Sequence, residues 1–274
     1  MVFNPIFLAL SEKHFSIDRY SQLEKKQQFR TEFSKDRDRI MYSKSFRRLS
    51  GKTQVFLSTT EEDIRTRLTH TLEVNQIAKT IGSALAMNLN LIEAIALGHD
   101  VGHTPFGHVG ERTLNLIMNN CEDINGVDVS RENLGFKHNL QAVRVLCDLE
   151  NGKYGAGLNL SKYTLWGIAN HSSLSYKTCK VNANQKCWLT HKPKECTALS
   201  PVKVDYYDRY INQIDNYWSF EGLIVALADE IAQRHHDIED SLTYNIIERA
   251  DLLNEINNIF NDVVKRDDKE NLKK

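Results

Sequence analysis

The chain contains little of what interrupts a helix or cross-links a fold. Four prolines and thirteen glycines are spread over 274 residues, and five cysteines are too few, and odd in number, for a disulfide framework. The apolar N-terminus, MVFNPIFLAL, lacks the basic start and the small-residue cleavage site of a signal peptide. No other run approaches the length of a membrane span. We therefore expect a cytoplasmic protein without a membrane partner.

An excess of one charge is also absent. Lysine and arginine total 35 against 36 for aspartate and glutamate, which gives a formal net charge of −1 and no global attraction to nucleic acid or a membrane surface. The stretch from residue 30 to 52 is locally basic, with Arg30, Lys35, Arg37, Arg39, Lys44, Arg47, Arg48 and Lys52 against Glu32, Asp36 and Asp38. It predicts a patch for a polyphosphate or single-stranded nucleic acid. For most of these residues a solvated helix face with ion pairs is the favoured alternative.

Helical periodicity dominates what is present. The run NLIEAIALGHD is nearly all apolar, which is typical of a helix in the centre of a bundle. YWSFEGLIVALADEIAQRHHDIED predicts a long helix with an apolar first half. From Arg65 to Met87 a further helix is predicted, with one apolar face formed by Leu68, Leu72, Ile77, Ile81 and Leu85. We expect an all-α helical bundle that forms one domain over residues 1–274.

One long polar stretch, residues 172–205, is predicted to leave the bundle as a loop. It contains a set of side chains that could make a structural zinc site, namely Cys179, Cys187, His191 and Cys196. The spacing lacks the close cysteine pair of a zinc knuckle, so free thiols are the favoured interpretation.

Four histidine and carboxylate side chains end or interrupt the predicted apolar helices. His70 lies on the first helix, His99 and Asp100 end the second, and Asp229 interrupts the apolar run LIVALADEIA. A carboxylate inside such a run is costly to bury unless it is paired or bound to a metal. Imidazole and carboxylate groups converging from several helices are the usual ligands of a divalent cation. The pattern therefore predicts a metal site.

This H…HD…D pattern resembles the metal-binding signature of the HD superfamily of phosphohydrolases. Four longer blocks resemble the bacterial deoxyguanosinetriphosphate triphosphohydrolases and stand in the same order: RTEFSKDRDRIMYSKSFRRLSGKTQVF, RTRLTHTLEV, GHDVGHTPFGHVGE and ALADEIAQRHHDIED. They span about residues 30 to 240, with the HD motifs at about 65–240. Many relatives continue beyond the long helix, so we expect either a short form or a truncated chain.

The resemblance implies a role for a second pair of side chains, His108 and Glu111. They stand three residues apart after a glycine-rich turn, and a carboxylate that orients an imidazole is a common general acid-base arrangement. By resemblance they are the catalytic histidine and acid. The pair either positions the attacking water or protonates the leaving oxygen, and the sequence leaves both roles open.

The resemblance also implies a set of substrate contacts. Arg67 corresponds to a phosphate contact, Gln54 and Asp237 correspond to residues that hold the deoxyribose, and His103 and His138 correspond to further active-site histidines. Asp229, Gln233 and Asp237 are spaced by four and so form one stripe of the long helix. Many relatives carry an acid where Lys137 stands. Gln233 replaces a tyrosine of the guanosine-specific enzymes, which leaves the base preference open.

The activity implied is metal-dependent hydrolysis of deoxynucleoside triphosphates to deoxynucleoside and inorganic triphosphate, by a cytoplasmic homo-oligomer. The mixed nitrogen and oxygen ligands suit Mn, Fe, Ni or Zn, whereas Mg would bind more weakly. Two alternatives remain at this stage. One is an HD phosphohydrolase acting on another nucleotide, such as a monophosphate or a cyclic nucleotide. The other is a non-catalytic relative that senses nucleotides or binds single strands.

Overall fold

Helices make up most of the structure, as the low glycine and proline content predicts. A computed structural model of the chain describes residues 17–21, 25, 27–52, 66–118, 135–152, 155–172 and 207–271. The helices are α1 (Glu32–Met41), α2 (Lys44–Arg47), α3 (Arg67–Ala84), α4 (Leu89–Gly98), α5 (Gly107–Met118), α6 (His138–Arg144), α7 (Lys162–Asn170), α8 (Asp208–Ile214), α9 (Phe220–Thr243) and α10 (Arg249–Asn271). A 3₁₀ turn spans Arg48–Gly51 and a π-helical turn spans Val145–Leu149. The all-α prediction is confirmed.

Paired strands are limited, within those residues, to a two-residue hairpin of β1 (Asn151–Gly152) and β2 (Gly155–Ala156). None of the described helices is long and apolar enough to cross a membrane. The predicted sugar contact Gln54 lies outside the described residues. So does the cysteine-containing stretch, except for its first residue, Ser172.

The structure divides into two compact units, Met1–Asp229 and Glu230–Lys274. The first unit contains α1 to α8 and the predicted metal ligands, and the second contains α10. The expectation of a single domain over residues 1–274 stays a prediction.

Helix α4 is the centre of the first unit. The Asn88 side chain accepts hydrogen bonds from the backbone N–H groups of Asn90 and Leu91, both at 3.1 Å, and so caps the start of the helix. Its apolar residues pack against α1, α3 and α7. Leu91, Ile92, Ala94, Ile95 and Ala96 are all fully buried. A helix with so many apolar residues needs neighbours on several sides, and α4 has three.

Helices α4 and α7 approach closely because glycine stands at their contact. A β-carbon on Gly98 would lie 2.5 Å from the Ile168 Cδ1 atom, and one on Gly167 would lie 2.4 Å from the Ile95 Cδ1 atom. A larger residue at either glycine would force the facing isoleucine side chain to move. The close approach matters for function because His99 follows α4 directly and the corresponding position after α7 is His171.

The predicted apolar face of α3 is wrong. Leu72 is half exposed, and the buried face consists instead of Arg67, His70, Thr71, Val74, Ala78 and Gly82. The predicted set includes a step of five residues, which turns a helix about 140° past a full turn and so leaves the stripe. The true face is made of small residues that allow close packing against α4, and it carries the polar residues Arg67 and His70 inward.

Candidate metal and acid-base site

Three of the four predicted metal ligands, His70, His99 and Asp229, come together in the first unit, and Asp100 lies beside His99. His70 Nε2 lies 2.9 Å from Asp229 Oδ1, and His99 Nε2 lies 3.7 Å from the same oxygen. Asp100 Oδ1 lies 3.8 Å from His99 Nε2. The ligand atoms of His70, His99 and Asp229 all lie within 4.8 Å of one another. Residues from α3, from the end of α4 and from α9 thus bring their ligand atoms close enough together to share one cation.

The hydrogen bonding of His99 fits a metal ligand. Its Nδ1 atom lies 2.7 Å from the Ala96 carbonyl oxygen, which can only accept, so Nδ1 carries the proton. The lone pair is then on Nε2, which is buried and has no hydrogen-bond partner among the residues that the structure describes. A backbone carbonyl that fixes the far nitrogen is the usual support of a ligating histidine. The donor set therefore fits a divalent cation.

Both carboxylates are held in the charged form that a metal requires. Burial alone would raise the pKa of Asp100, but the Arg67 guanidinium, whose Nη1 donates to Oδ2 at 2.6 Å, holds it well below its usual range. Burial likewise opposes ionisation of Asp229, yet the hydrogen bond with His70 and the nearby His99 leave its pKa well below normal. Neither group needs to lose a proton at neutral pH before binding a cation.

Two cationic side chains border the metal ligands. Arg67 is buried and its Nε atom has no hydrogen-bond partner among the described residues. Lys52 Nζ donates to the His103 carbonyl oxygen at 2.5 Å, and burial followed by the charge of Arg67 lowers its pKa. The sequence placed Lys52 only in a basic stretch. The structure brings it to the side of the site where Arg67 and Asp100 meet.

Glu111 is the centre of a second cluster. Its Oε2 atom accepts from His108 Nδ1 at 3.4 Å and lies 2.9 Å from His138 Nδ1. Burial would raise the pKa of Glu111, but the hydrogen bonds from these two histidines hold it well below its usual range. His108 is the exposed member, with 58% of its side chain accessible. The structure brings the predicted pair together and adds His138, which lies closer to the carboxylate.

The turn between the two clusters depends on glycine. A β-carbon on Gly102 would lie 2.1 Å from the Ala142 backbone nitrogen and 2.3 Å from the His138 carbonyl oxygen. The turn can therefore lie directly against the start of α6. As a result His103 stacks on His138, with ring centroids 4.4 Å apart and planes at 22°.

His103 is buried and lies between the two clusters. Burial is the main reason that its pKa falls to about 2, and the Asp100 charge opposes this only in part. His103 is thus a neutral side chain at physiological pH. It can donate or accept one hydrogen bond at a substrate, but it does not supply a positive charge.

Acid stability provides a test of this burial. An unfolded histidine binds a proton below its ordinary pKa of 6.5, whereas folded His103 stays neutral until the pH reaches about 2. Falling pH therefore favours the unfolded chain and removes stability across that interval. Between pH 7 and pH 5 we expect metal-free protein to lose about 2 kcal/mol more of its unfolding free energy than the His103→Gln variant. Urea unfolding in chelator measures this, and equal losses would contradict it.

His171 is a site residue that the sequence interpretation missed. It follows α7, is buried, and lies with its Nε2 atom 3.3 Å from His138 Nε2 and its ring centroid 5.0 Å from that of His99. Burial beside His99 and His138 lowers its pKa to about 4. A signal was present, because His171 ends an apolar helix as His99 does.

Two further predicted features, the sugar contact Asp237 and the nucleic-acid patch, stay predictions. Asp237 is exposed and belongs to the second unit, so its role as a sugar contact stays a prediction. Part of the basic stretch is paired internally, since Lys35 bonds to Glu32 and Arg37 bonds to Asp38. Binding of single-stranded nucleic acid stays a prediction.

Comparison with known proteins adds independent findings. The family model described as HD domain matches residues 67–213. A protein of Clostridium tetani is 40% identical over 237 residues, which cover 86% of this chain and 54% of the relative. One of Clostridium perfringens is 43% identical over 231 residues, or 84% of this chain and 52% of the relative. One of Wolinella succinogenes is 42% identical over 226 residues, which cover 82% of this chain and 53% of the relative.

All three relatives are named deoxyguanosinetriphosphate triphosphohydrolase-like protein. The chain spans about half the length of the curated relatives it matches. The matched part of each relative therefore corresponds to most of this chain.

Proposed function

Because this chain belongs to the HD domain family, we propose that it hydrolyses deoxynucleoside triphosphates and releases a deoxynucleoside and inorganic triphosphate. The observation that carries the proposal is the convergence of His70, His99 and Asp229 within 4.8 Å, beside the Glu111 cluster. The names of the relatives support the substrate class. The family supports a hydrolase, and the finer assignment of substrate and products is our proposal.

The proposed metal site consists of His70, His99, Asp100 and Asp229. A divalent ion bound there would supply Lewis-acid activation of a substrate phosphate. Arg67 is the proposed phosphate contact, because its guanidinium is buried and its Nε donor has no partner in the part of the chain that the structure describes, which suits phosphate oxygens. Asp100 fixes the orientation of that guanidinium through its bond to Nη1.

The proposed acid-base group consists of His108 and Glu111. Glu111 is held as a carboxylate, so it orients the His108 ring and stabilises a proton on it. His108 is the more exposed of the two and is free to reach a substrate atom. Transfer of a proton between His108 and the attacking water or the leaving oxygen is the step proposed for this pair.

The products test the proposal directly. With a deoxynucleoside triphosphate and Mn²⁺, phosphorus NMR should show inorganic triphosphate appearing together with deoxynucleoside and no transient deoxynucleoside diphosphate. Water that attacks the phosphorus next to the sugar forms a new phosphorus–oxygen bond, the bond from that phosphorus to the 5′-oxygen breaks, and the 5′-oxygen takes up a proton as the deoxynucleoside leaves. The three phosphates stay joined and are released as triphosphate. Orthophosphate with deoxynucleoside diphosphate would falsify the proposed position of cleavage.

Two comparisons sharpen the experiment. A panel containing a deoxynucleoside monophosphate and a cyclic nucleotide separates the proposal from other HD phosphohydrolase activities. Nucleotide binding without turnover, across several divalent metals, would instead identify a non-catalytic relative. Addition of chelator is expected to abolish turnover, since the proposed site requires the cation.

A further inference from the structure

His171 has the same local geometry as His99. Each residue follows an apolar helix, and each directs Nδ1 at the carbonyl oxygen three residues earlier, at 2.7 Å in both cases: Ala96 for His99 and Ile168 for His171. A carbonyl can only accept, so the proton of a neutral ring is on Nδ1 and the lone pair is on Nε2. For His99 that lone pair faces the proposed metal ligands. For His171 it faces another histidine.

The partner of the His171 lone pair is His138. The two Nε2 atoms lie 3.3 Å apart, so His138 must donate from Nε2 if this contact is a hydrogen bond. The other nitrogen of His138, Nδ1, lies 2.9 Å from the Glu111 carboxylate. Donation at both ends requires a proton on each ring nitrogen, so in this arrangement His138 is an imidazolium, held by the Glu111 carboxylate on one side and by the His171 acceptor on the other.

The backbone around these residues is tied together independently. The Asn139 side-chain amide donates to the Ala169 carbonyl oxygen at 2.6 Å and to the Ser172 carbonyl oxygen at 3.1 Å. These bonds join the start of α6 to the end of α7 on either side of His171. These hydrogen bonds hold the two helix ends together, and so they hold His138 next to His171.

We propose that His171 is a positioning residue that orients His138, and through it the Glu111 carboxylate that serves His108. This inference rests on the proposed function, because it concerns the same acid-base group. His171 is buried, and His138 lies between it and the Glu111 carboxylate. His171 Nε2 accepts a hydrogen bond from His138 at a fixed position, and this bond prevents the His138 ring from turning away from Glu111.

The test compares two substitutions that differ in the acceptor. His171→Gln places an amide oxygen near the position of Nε2, whereas His171→Leu keeps bulk and removes the acceptor. With deoxyguanosine triphosphate and Mn²⁺, we expect His171→Leu to lower kcat by about 10–100-fold, the usual cost of losing such a partner, while KM and metal content stay close to wild type. His171→Gln should restore most of the loss. Failure of His171→Gln to restore activity, or loss of metal from His171→Leu, would overturn the proposal.

A double-mutant cycle separates positioning from general packing. If His171 acts through His138, the leucine substitution should cost much less in a His138→Ala background than in the wild-type chain. Equal costs in the two backgrounds would show that His171 acts elsewhere, and the proposal would be wrong.

A spectroscopic measurement tests the same contact without turnover. In protein labelled with nitrogen-15 histidine, His138 Nε2 is expected to carry a proton in the wild type and in His171→Gln, and to change its state in His171→Leu. An unchanged His138 signal in His171→Leu would overturn the proposal. If the wild type hydrolyses no nucleotide, the proposed function fails, and this measurement still decides whether His171 orients His138.

Discussion

Replacement of His108 by alanine is expected to lower turnover by about 10²–10⁴-fold, the usual contribution of a general acid-base group. His108 is 58% exposed, so its removal leaves no cavity in the core. Its contact with Glu111 is the longer of the two at that carboxylate, and His138 remains to hold Glu111 in place. Metal content and KM should therefore stay near the wild-type values. Steady-state kinetics together with elemental analysis measure both.

A matched control for this variant is His235→Ala. His235 is also an exposed histidine, with 64% of its side chain accessible, and its recorded ion-pair contact is with Glu239. It should leave turnover unchanged. If His108→Ala instead raised KM at unchanged turnover, His108 would be a binding residue and the proposed chemistry would need another acid or base.

Replacement of Asp229 by alanine is expected to abolish metal binding and, with it, activity. Asp229 Oδ1 is the atom that lies nearest to both His70 and His99, so no other carboxylate among the described residues links those two ligands in the same way. The side chain is 22% exposed, so its truncation costs less packing than loss of the Asp100 side chain, which is 5% exposed. The loss should exceed the roughly 10–100-fold that removal of an outer partner costs. Elemental analysis measures the loss of metal, and the release of triphosphate measures the loss of activity.

Asp229 is a better choice than Asp100 for this experiment. Removing Asp100 would also leave the buried Arg67 charge without its carboxylate, which is strongly destabilising in its own right. Glu221→Gln is the control, because Glu221 is a buried carboxylate on the same helix whose Oε1 accepts from the Asn88 backbone at 3.1 Å. That variant should keep its metal. Full metal occupancy in Asp229→Ala would remove Asp229 from the proposed ligand set.

The fold class and the candidate ligands could be predicted from the amino-acid sequence. Both depend on local signals, namely helical periodicity and polar residues inside apolar runs, such as Asp229 in LIVALADEIA and the His99–Asp100 pair after α4. A charged group that is buried needs an opposite charge or a metal ion, so its position in an apolar run predicts a site before the packing of the helix is known. The blocks that resemble a family added the acid-base pair.

Which side chains contact one another depends on how the helices pack, and the sequence does not show this. Periodicity selected the wrong face of α3, because the buried face is set by how closely α3 and α4 pack and not by its largest apolar residues. His138 is nearer to Glu111 than His108 is, and His171 and Lys52 join the site, because segments distant in the chain pack together; Gly102 allows the close approach at the start of α6. Hydrogen-bond distances of about 3 Å depend on helix placements that no local pattern records. The types of residue at the site could therefore be predicted from the sequence, whereas the hydrogen-bond partner of each one could not.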